Sequence, residues 1–129
     1  MLAPRRDLPG DNEVLGGGDL EIRPGHWLAM ASGRALMLTV REFQLLVALS
    51  RRTGTVVSRA ELFETVWGRP LRNGDRTIDV YVRRLRIKLE AALPQWRFIH
   101  THFGFGYRFA AELNGGPRPA PEPSDRSEG

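Results

Sequence analysis

The sequence predicts an α+β domain: short strands first, then three helices, then a closing β-hairpin. Three observations carry that order. Residues 19–23 alternate polar and apolar side chains, with Leu20 and Ile22 on one face, the period of a half-buried strand. Ile78, Val82, Leu85 and Leu89 recur at i, i+4, i+7 and i+11. At about 100° per residue they fall within a wedge of about 60° on a helix. Residues 97–109, RFIHTHFGFGYRF, place aromatic and branched side chains on both sides of Gly104-Phe105-Gly106, which suits a hairpin with a glycine tip.

Composition narrows the class. Of the 129 residues 41% are apolar, enough for one core. No apolar run approaches the roughly 18–20 residues that span a membrane. The opening residues, MLAPRRDLPGD, lack the apolar segment of a signal peptide. Cysteine is absent, which excludes disulfides, thiolate zinc sites and cysteine nucleophiles and fits a cytoplasmic location. The chain carries a net charge of +4. Residues 19–112 are more basic, with 15 Arg+Lys against 9 Asp+Glu, a net of +6. A basic domain favours polyanionic partners.

The elements follow in chain order. Residues 1–18 mix Pro, Gly and charge and end in Gly16-Gly17-Gly18, which reads as a flexible linker. The domain is expected over 19–112. After the strand at Leu20 and Ile22, Pro24-Gly25 makes a turn, Trp27 to Met30 a second strand, Ser32-Gly33 a second turn, and Ala35 to Leu38 a third strand region, split in two if the sheet has four short strands. Thr39-Val40-Arg41-Glu42 has the spacing of a capping box and opens a helix to about Arg52, ended by Thr53-Gly54. Ser58-Arg59-Ala60-Glu61 is a second such box, and Gly68 stops its helix. After the loop 69–75, Asp75 caps the third helix, 75–92, and Pro94 closes it. Residues 113–129 hold four prolines and few apolar side chains, so they are expected to be a disordered tail. The second and third helices form a helix-turn-helix and the hairpin 97–109 a wing, so the class is a winged helix-turn-helix behind an N-terminal antiparallel sheet.

The third helix carries five Arg and Lys in the thirteen positions 76–88. Arg76, Val80, Arg83, Arg84 and Ile87 lie on the half opposite its apolar stripe. Two readings stand for such a face: a helix that enters the DNA major groove, or an ordinary solvated basic surface.

The motifs LTVREFQLLVAL (38–49), VVSRAELFETVWG (56–68), DRTIDVYVRRLRIKLE (75–90) and FGFGYRF (103–109) resemble, in this order and spacing, the C-terminal effector domain of OmpR/PhoB-type response regulators. The likeness is close over about 70 residues, 39–109, and the strands from residue 19 stand where that family has its N-terminal sheet. It implies binding to double-stranded promoter DNA for bacterial transcription regulation, in pairs on tandem half-sites. It also implies an upstream receiver domain, phosphorylated in two-component signalling, for which these residues have no room. An excised domain and a natural protein lacking a receiver both fit.

The resemblance also implies residue roles. Arg84 takes the position that enters the major groove, flanked by Val80 and Thr77 as base contacts. Arg76, Arg83, Arg86, Tyr81 and Trp67 match phosphate-holding positions, joined from the wing by Thr101, Gly104 and Tyr107. Core packing is the other reading of Trp67. Asp79 either orients a neighbouring arginine or simply favours the helix N-terminus. Leu71, Arg72 and Asn73 stand in a loop that touches RNA polymerase in the family, and a plain solvated turn is the alternative. The wing departs from the pattern: Phe103 stands where many members carry an arginine aimed into the minor groove. It can pack against sugars, wedge at a base step or leave the wing without sequence readout; loss of minor-groove readout is expected. His102 adds a contact when protonated.

Enzyme chemistry is not expected. No Walker-type loop or Ser/His/Asp order occurs, and the glycines at 104 and 106 do not open a helix. His100 and His102 form H-x-H on one strand, with only His26 besides, so no metal or other cofactor is expected. A protein-interaction module that does not read DNA remains the alternative class.

Overall fold

The computed structural model describes residues 12–115. Four strands open the domain: β1 (Leu15–Gly17), β2 (Leu20–Arg23), β3 (Leu28–Ala31) and β4 (Arg34–Ala35). They form one antiparallel sheet in sequential order. Then come α1 (Val40–Ser50), β5 (Val56–Val57), α2 (Arg59–Trp67), α3 (Thr77–Ala92), β6 (Trp96–His102) and β7 (Gly106–Leu113). β7 lies between β5 and β6 in a second antiparallel sheet.

Period-two patterning builds the first sheet. Leu20 pairs with Ala31 and Ile22 with Ala29, and all four are buried. A small side chain opposite a large one keeps this face flat enough to join the core. That core is continuous from the sheet through Leu45, Leu46 and Leu49 of α1 to Leu62 and Phe63 of α2 and Phe98 and Phe109 of the hairpin. The apolar stripe of α3 is buried as its spacing demands, with Ile78, Val82, Leu85 and Leu89 each no more than 3% exposed.

The first capping box closes in both directions: Thr39 Oγ1 accepts from the Glu42 amide at 3.2 Å and Glu42 Oε1 from the Thr39 amide at 2.9 Å. The second closes in one. Ser58 Oγ accepts from the Glu61 amide at 3.1 Å, but the Glu61 carboxylate turns to Arg52, 2.9 Å away. Asp75 caps α3 from just outside the helix, accepting from the Thr77 amide at 2.8 Å.

Several expected boundaries move. Residues 15–17, read as part of a linker, are a strand because their backbone pairs with β2. Gly18 lies against the Trp96 ring, where an added Cβ would stand 2.6 Å from an indole carbon, and Trp96 Nε1 donates to Asp19 Oδ2 at 2.9 Å. These glycines therefore permit close approach as well as bending. Glu13 is held too, by a forked ion pair with Arg51 at 3.0 and 2.8 Å. Trp27 is not in a strand: its backbone is left-handed (φ 50°), ending the 3₁₀ turn Pro24–His26. The third strand region shrinks to Arg34–Ala35, because after one bond from the Leu36 amide to the Ala29 carbonyl the chain leaves the sheet for the α1 cap. α1 ends at Ser50 rather than near Arg52, and α3 starts at Thr77 rather than Asp75. The hairpin is longer than expected: Trp96 pairs with Leu113, a residue assigned to the tail. The rest of the expected tail, 116–129, and the linker residues 1–11 lie outside the described residues.

Gly106 fixes the base of the wing. Its φ is 147°, and a Cβ there would fall on the Val57 carbonyl oxygen. Gly104 also has positive φ (84°) but faces open space. Gly104→Ala is expected to cost about 1–2 kcal/mol through backbone strain alone. Gly106→Ala should cost clearly more, since β5 must also move, and urea melts of the two variants compare them directly.

Candidate nucleic-acid interface

One carboxylate joins the three elements that frame the site. Asp79, in the first turn of α3, accepts from Arg59 Nε of α2 at 2.7 Å and from the Tyr107 hydroxyl of β7. Arg76 stands 3.6 Å from its other oxygen. Burial pushes the Asp79 carboxyl up, but the bonds from Tyr107 and Arg59 and the charges of Arg59 and Arg76 outweigh it and hold the group below the usual aspartate range. Burial, reinforced by Asp79, raises the Tyr107 phenol, which stays a neutral donor. Both readings of Asp79 fit: it holds the Arg59 guanidinium and stands in the first turn of α3.

α3 presents a mixed outer face. Arg83 and Arg84 are exposed, with Val80 and Ile87 44% and 57% exposed among them. Arg84 is positioned by an aromatic ladder rising from the core. Phe63 stacks on Trp67 with centroids 5.0 Å apart, Trp67 meets the edge of Tyr81 at 5.3 Å, and the Arg84 guanidinium lies 5.0 Å from the Tyr81 centroid. Arg41 covers the Trp67 ring at 5.2 Å while donating to the Val66 carbonyl at 2.9 Å. Cation–π contact and lost rotamer freedom together narrow where Arg84 points. Both readings of half-buried Trp67 remain compatible, since its ring packs while an indole keeps one polar atom.

The sequence-derived residues divide into two groups. Arg76, Arg83, Arg84, Val80, Gly104 and Phe103 are exposed, and Thr77, Tyr81, Trp67, Thr101 and His102 are half-buried. Thr77 Oγ1 donates to Asp75. Arg86 and Tyr107 turn inward, contrary to a phosphate role. Arg86 Nη2 donates to the Ile99 carbonyl at 2.9 Å and to Thr101 Oγ1 at 2.6 Å. Burial draws its guanidinium down from the ordinary value. Tyr107 is 5% exposed and commits its hydroxyl to Asp79. Both therefore tie the wing to α3. His102 Nε2 accepts from Arg108 Nε at 2.9 Å, so that nitrogen is engaged within the hairpin. Leu71 is half-buried against the core, while Arg72 and Asn73 are exposed in the loop between α2 and α3.

Sequence reasoning missed Arg59, Arg41 and Phe105. The first two find their partners 20 and 25 residues away, and no local pattern reports such contacts. The ladder had a signal: Phe63/Trp67 and Tyr81/Arg84 are i,i+4 and i,i+3 pairs. Phe105, 74% exposed beside Phe103 at 86%, was visible only as part of the hairpin tip. Among the described residues no group of three or more His, Asp or Glu could hold a metal ion, and no helix is long and apolar enough to cross a membrane.

Comparison with known proteins gives a consistent picture. The family described as "Transcriptional regulatory protein, C terminal" matches residues 33–109. The DNA-binding dual master transcriptional regulator RpaA of Synechocystis is 37% identical over 107 residues, covering 81% of this chain and 44% of RpaA. The alkaline phosphatase synthesis transcriptional regulatory protein PhoP of Bacillus subtilis is 37% identical over 111 residues, covering 84% and 46%. The chain thus spans less than half the length of these relatives. The DNA-binding domain of CpxR from E. coli superposes with a TM-score of 0.69 at 35% identity, covering 76% of this chain and 96% of that one. The Klebsiella pneumoniae RstA DNA-binding domain, solved in complex with the RstA box, gives 0.69 at 29% identity, with 77% and 98% covered.

The lowered Asp79 carboxyl sets a pH dependence. Its contribution to stability is complete above the unfolded value, about 3.9, and is lost as pH falls through the lower folded value. Asp79→Asn should therefore be less stable than the parent chain near neutrality, and the gap should narrow with acidification below about pH 4. Chemical melts of both chains across that range measure the gap, and a gap independent of pH would exclude this role for the ionised carboxylate.

Proposed function

Because the chain belongs to the family of transcriptional regulatory protein C-terminal domains, the OmpR/PhoB-type effectors, we propose that it binds duplex promoter DNA sequence-specifically, with α3 in the major groove and the β6–β7 wing on the adjacent backbone or minor groove. The observation that carries this is the outer face of α3: exposed arginines around the branched apolar side chains of Val80 and Ile87, with Arg84 steadied on Tyr81. An arginine in the major groove pairs in bidentate fashion with guanine. Val80 beside it suits a thymine methyl, and Thr77 a base edge at the start of the helix. Arg76, Arg83 and Tyr81, with the Trp67 indole N–H, the Thr101 hydroxyl and the Gly104 backbone, are assigned to phosphates.

In this reading the domain is the output half of a two-component response regulator and has no enzymatic role. Its site of action is the bacterial cytoplasm, and pairs of copies occupy tandem half-sites. Arg72 and Asn73, exposed on the loop between the two helices, with Leu71 beneath them, form the surface offered to RNA polymerase.

Arg84 and Arg83 separate reading from holding. Arg84→Ala should weaken binding to a duplex selected from a random pool by about 1–3 kcal/mol and weaken binding to scrambled duplex less. Arg83→Ala should weaken both alike and flatten the dependence of log K on log salt by about 0.9. Gel-shift titrations at several salt concentrations measure both. Equal losses at Arg84 on selected and scrambled duplex would remove it from base reading.

A further inference from the structure

The wing ends in two phenylalanines that nothing among the described residues covers. Phe103 is 86% exposed and Phe105 74% exposed. Each ring carries a large apolar area, and leaving two such rings in water on one three-residue tip forgoes the burial available to them. The tip cannot readily fold back to bury them, because its base is fixed on three sides. Gly106 packs on the Val57 carbonyl of β5. Arg86 holds Ile99 and Thr101 of β6 to α3, and Asp79 holds Tyr107 of β7 to α3. The turn itself is closed by a bond from the Phe105 amide to the His102 carbonyl at 2.9 Å. The rings thus stand on a rigid mount beyond the last anchor points on α3.

The surroundings of the tip select the partner. Arg108 and His102 lie next to it on the strands, and Arg59 and Arg76 gather at the Asp79 junction below. The tip is therefore an apolar point above a junction where two arginines meet one carboxylate, on the hairpin that this junction ties to α3. A polyanion with apolar surface between its charges fits that combination. In duplex DNA the apolar surface is the stacked faces of the bases, reached where a step is opened from the minor groove.

We propose that Phe103, aided by Phe105 two residues on, is a wedge that enters the minor groove next to the site read by α3 and partly unstacks one base step, kinking the duplex. The proposal rests on the major-groove placement of α3 and reverses the expectation that the wing loses minor-groove readout. Recognition shifts from charge to deformability: pyrimidine–purine steps open most easily, so they are preferred at the wing position. The wedge reads no hydrogen-bond pattern and releases no counterion.

The test uses the full 129-residue chain and duplexes selected by it from a random pool. Phe103→Ala and the Phe103→Ala/Phe105→Ala pair change exposed residues, and circular dichroism melts confirm that they fold. The end-to-end distance of a doubly labelled selected duplex should shorten on binding of the parent chain, and 2-aminopurine at the wing-side step should brighten. Both signals should disappear with the double variant, and affinity should fall about tenfold with the salt slope unchanged, because no charge is removed. Phe103→Arg should instead steepen that slope by about 0.9 and lose the 2-aminopurine signal. A double variant that binds with parental affinity and parental bending overturns the wedge. So does weaker binding with the bend and the 2-aminopurine signal intact, which would mean packing on sugars. If α3 itself does not read DNA, no duplex is enriched from the pool and Arg84→Ala has no effect, an outcome separate from failure of the wedge alone.

Discussion

The helix-turn-helix and the wing are held in one geometry by the Asp79 carboxylate. It sits where α2, α3 and β7 meet and accepts from an arginine of the first and a tyrosine of the last. Apolar packing alone sets distances between elements but resists sliding and rotation poorly, because dispersion contacts carry little direction. A carboxylate with two charge-assisted or short-range donors is directional. Removing one partner would leave a half-buried charge or donor unsatisfied, which costs more than the bond itself contributes. This junction therefore adds the direction that core packing between α3 and the wing lacks.

Two further polar struts serve the same frame. Lys88 of α3 reaches Glu42 at 2.6 Å, and Glu42 is 2% exposed. Burial pushes that carboxyl up, but Lys88 and the Thr39 cap prevail and hold it below the usual range, so the residue that caps α1 also fixes α1 to α3. Arg86 fixes the other flank of α3 to β6. Of the five basic residues of α3 and its cap, two thus work inside the protein, and only Arg76, Arg83 and Arg84 face outward. A count of basic residues on a helix overstates what it can offer a polyanion.

That division was within reach of the sequence. Turning about 100° per residue from the apolar stripe places Arg86 and Lys88 roughly 80° to either side of it, whereas Arg83 and Arg84 fall on the opposite half. Flanking positions are where long cations lay their stems along apolar surface and reach a neighbouring element. Their partners, Ile99 and Glu42, could not be named from helical periodicity, which describes one element and not its neighbours. The same limit explains Gly16-Gly17-Gly18. A run of glycines has the composition of a linker, yet here one glycine makes room for Trp96, 78 positions on. The caps, the helix stripe and the hairpin were legible because each is encoded within a few residues. The Asp79 junction was not, since it is a contact of three segments. Two of the boundaries that slipped, at Trp27 and Leu36, lie where the chain trades sheet bonding for a turn or a cap.

The junction also resolves an apparent conflict, an acidic side chain beside the exposed arginines of a basic helix. An unpaired carboxylate there would repel DNA across a low-salt Debye length. Asp79 is not unpaired: Arg59 and Arg76 outnumber it, and it stands in the first turn of α3, where the helix dipole favours negative charge. The local sum stays positive. What the carboxylate subtracts from phosphate attraction it returns as orientation, since an arginine fixed at one atom has less freedom to lose on binding. Sequence discrimination demands such fixed geometry, whereas phosphate attraction alone serves any duplex equally. A face built only of free arginines would bind more kinds of DNA and distinguish fewer of them.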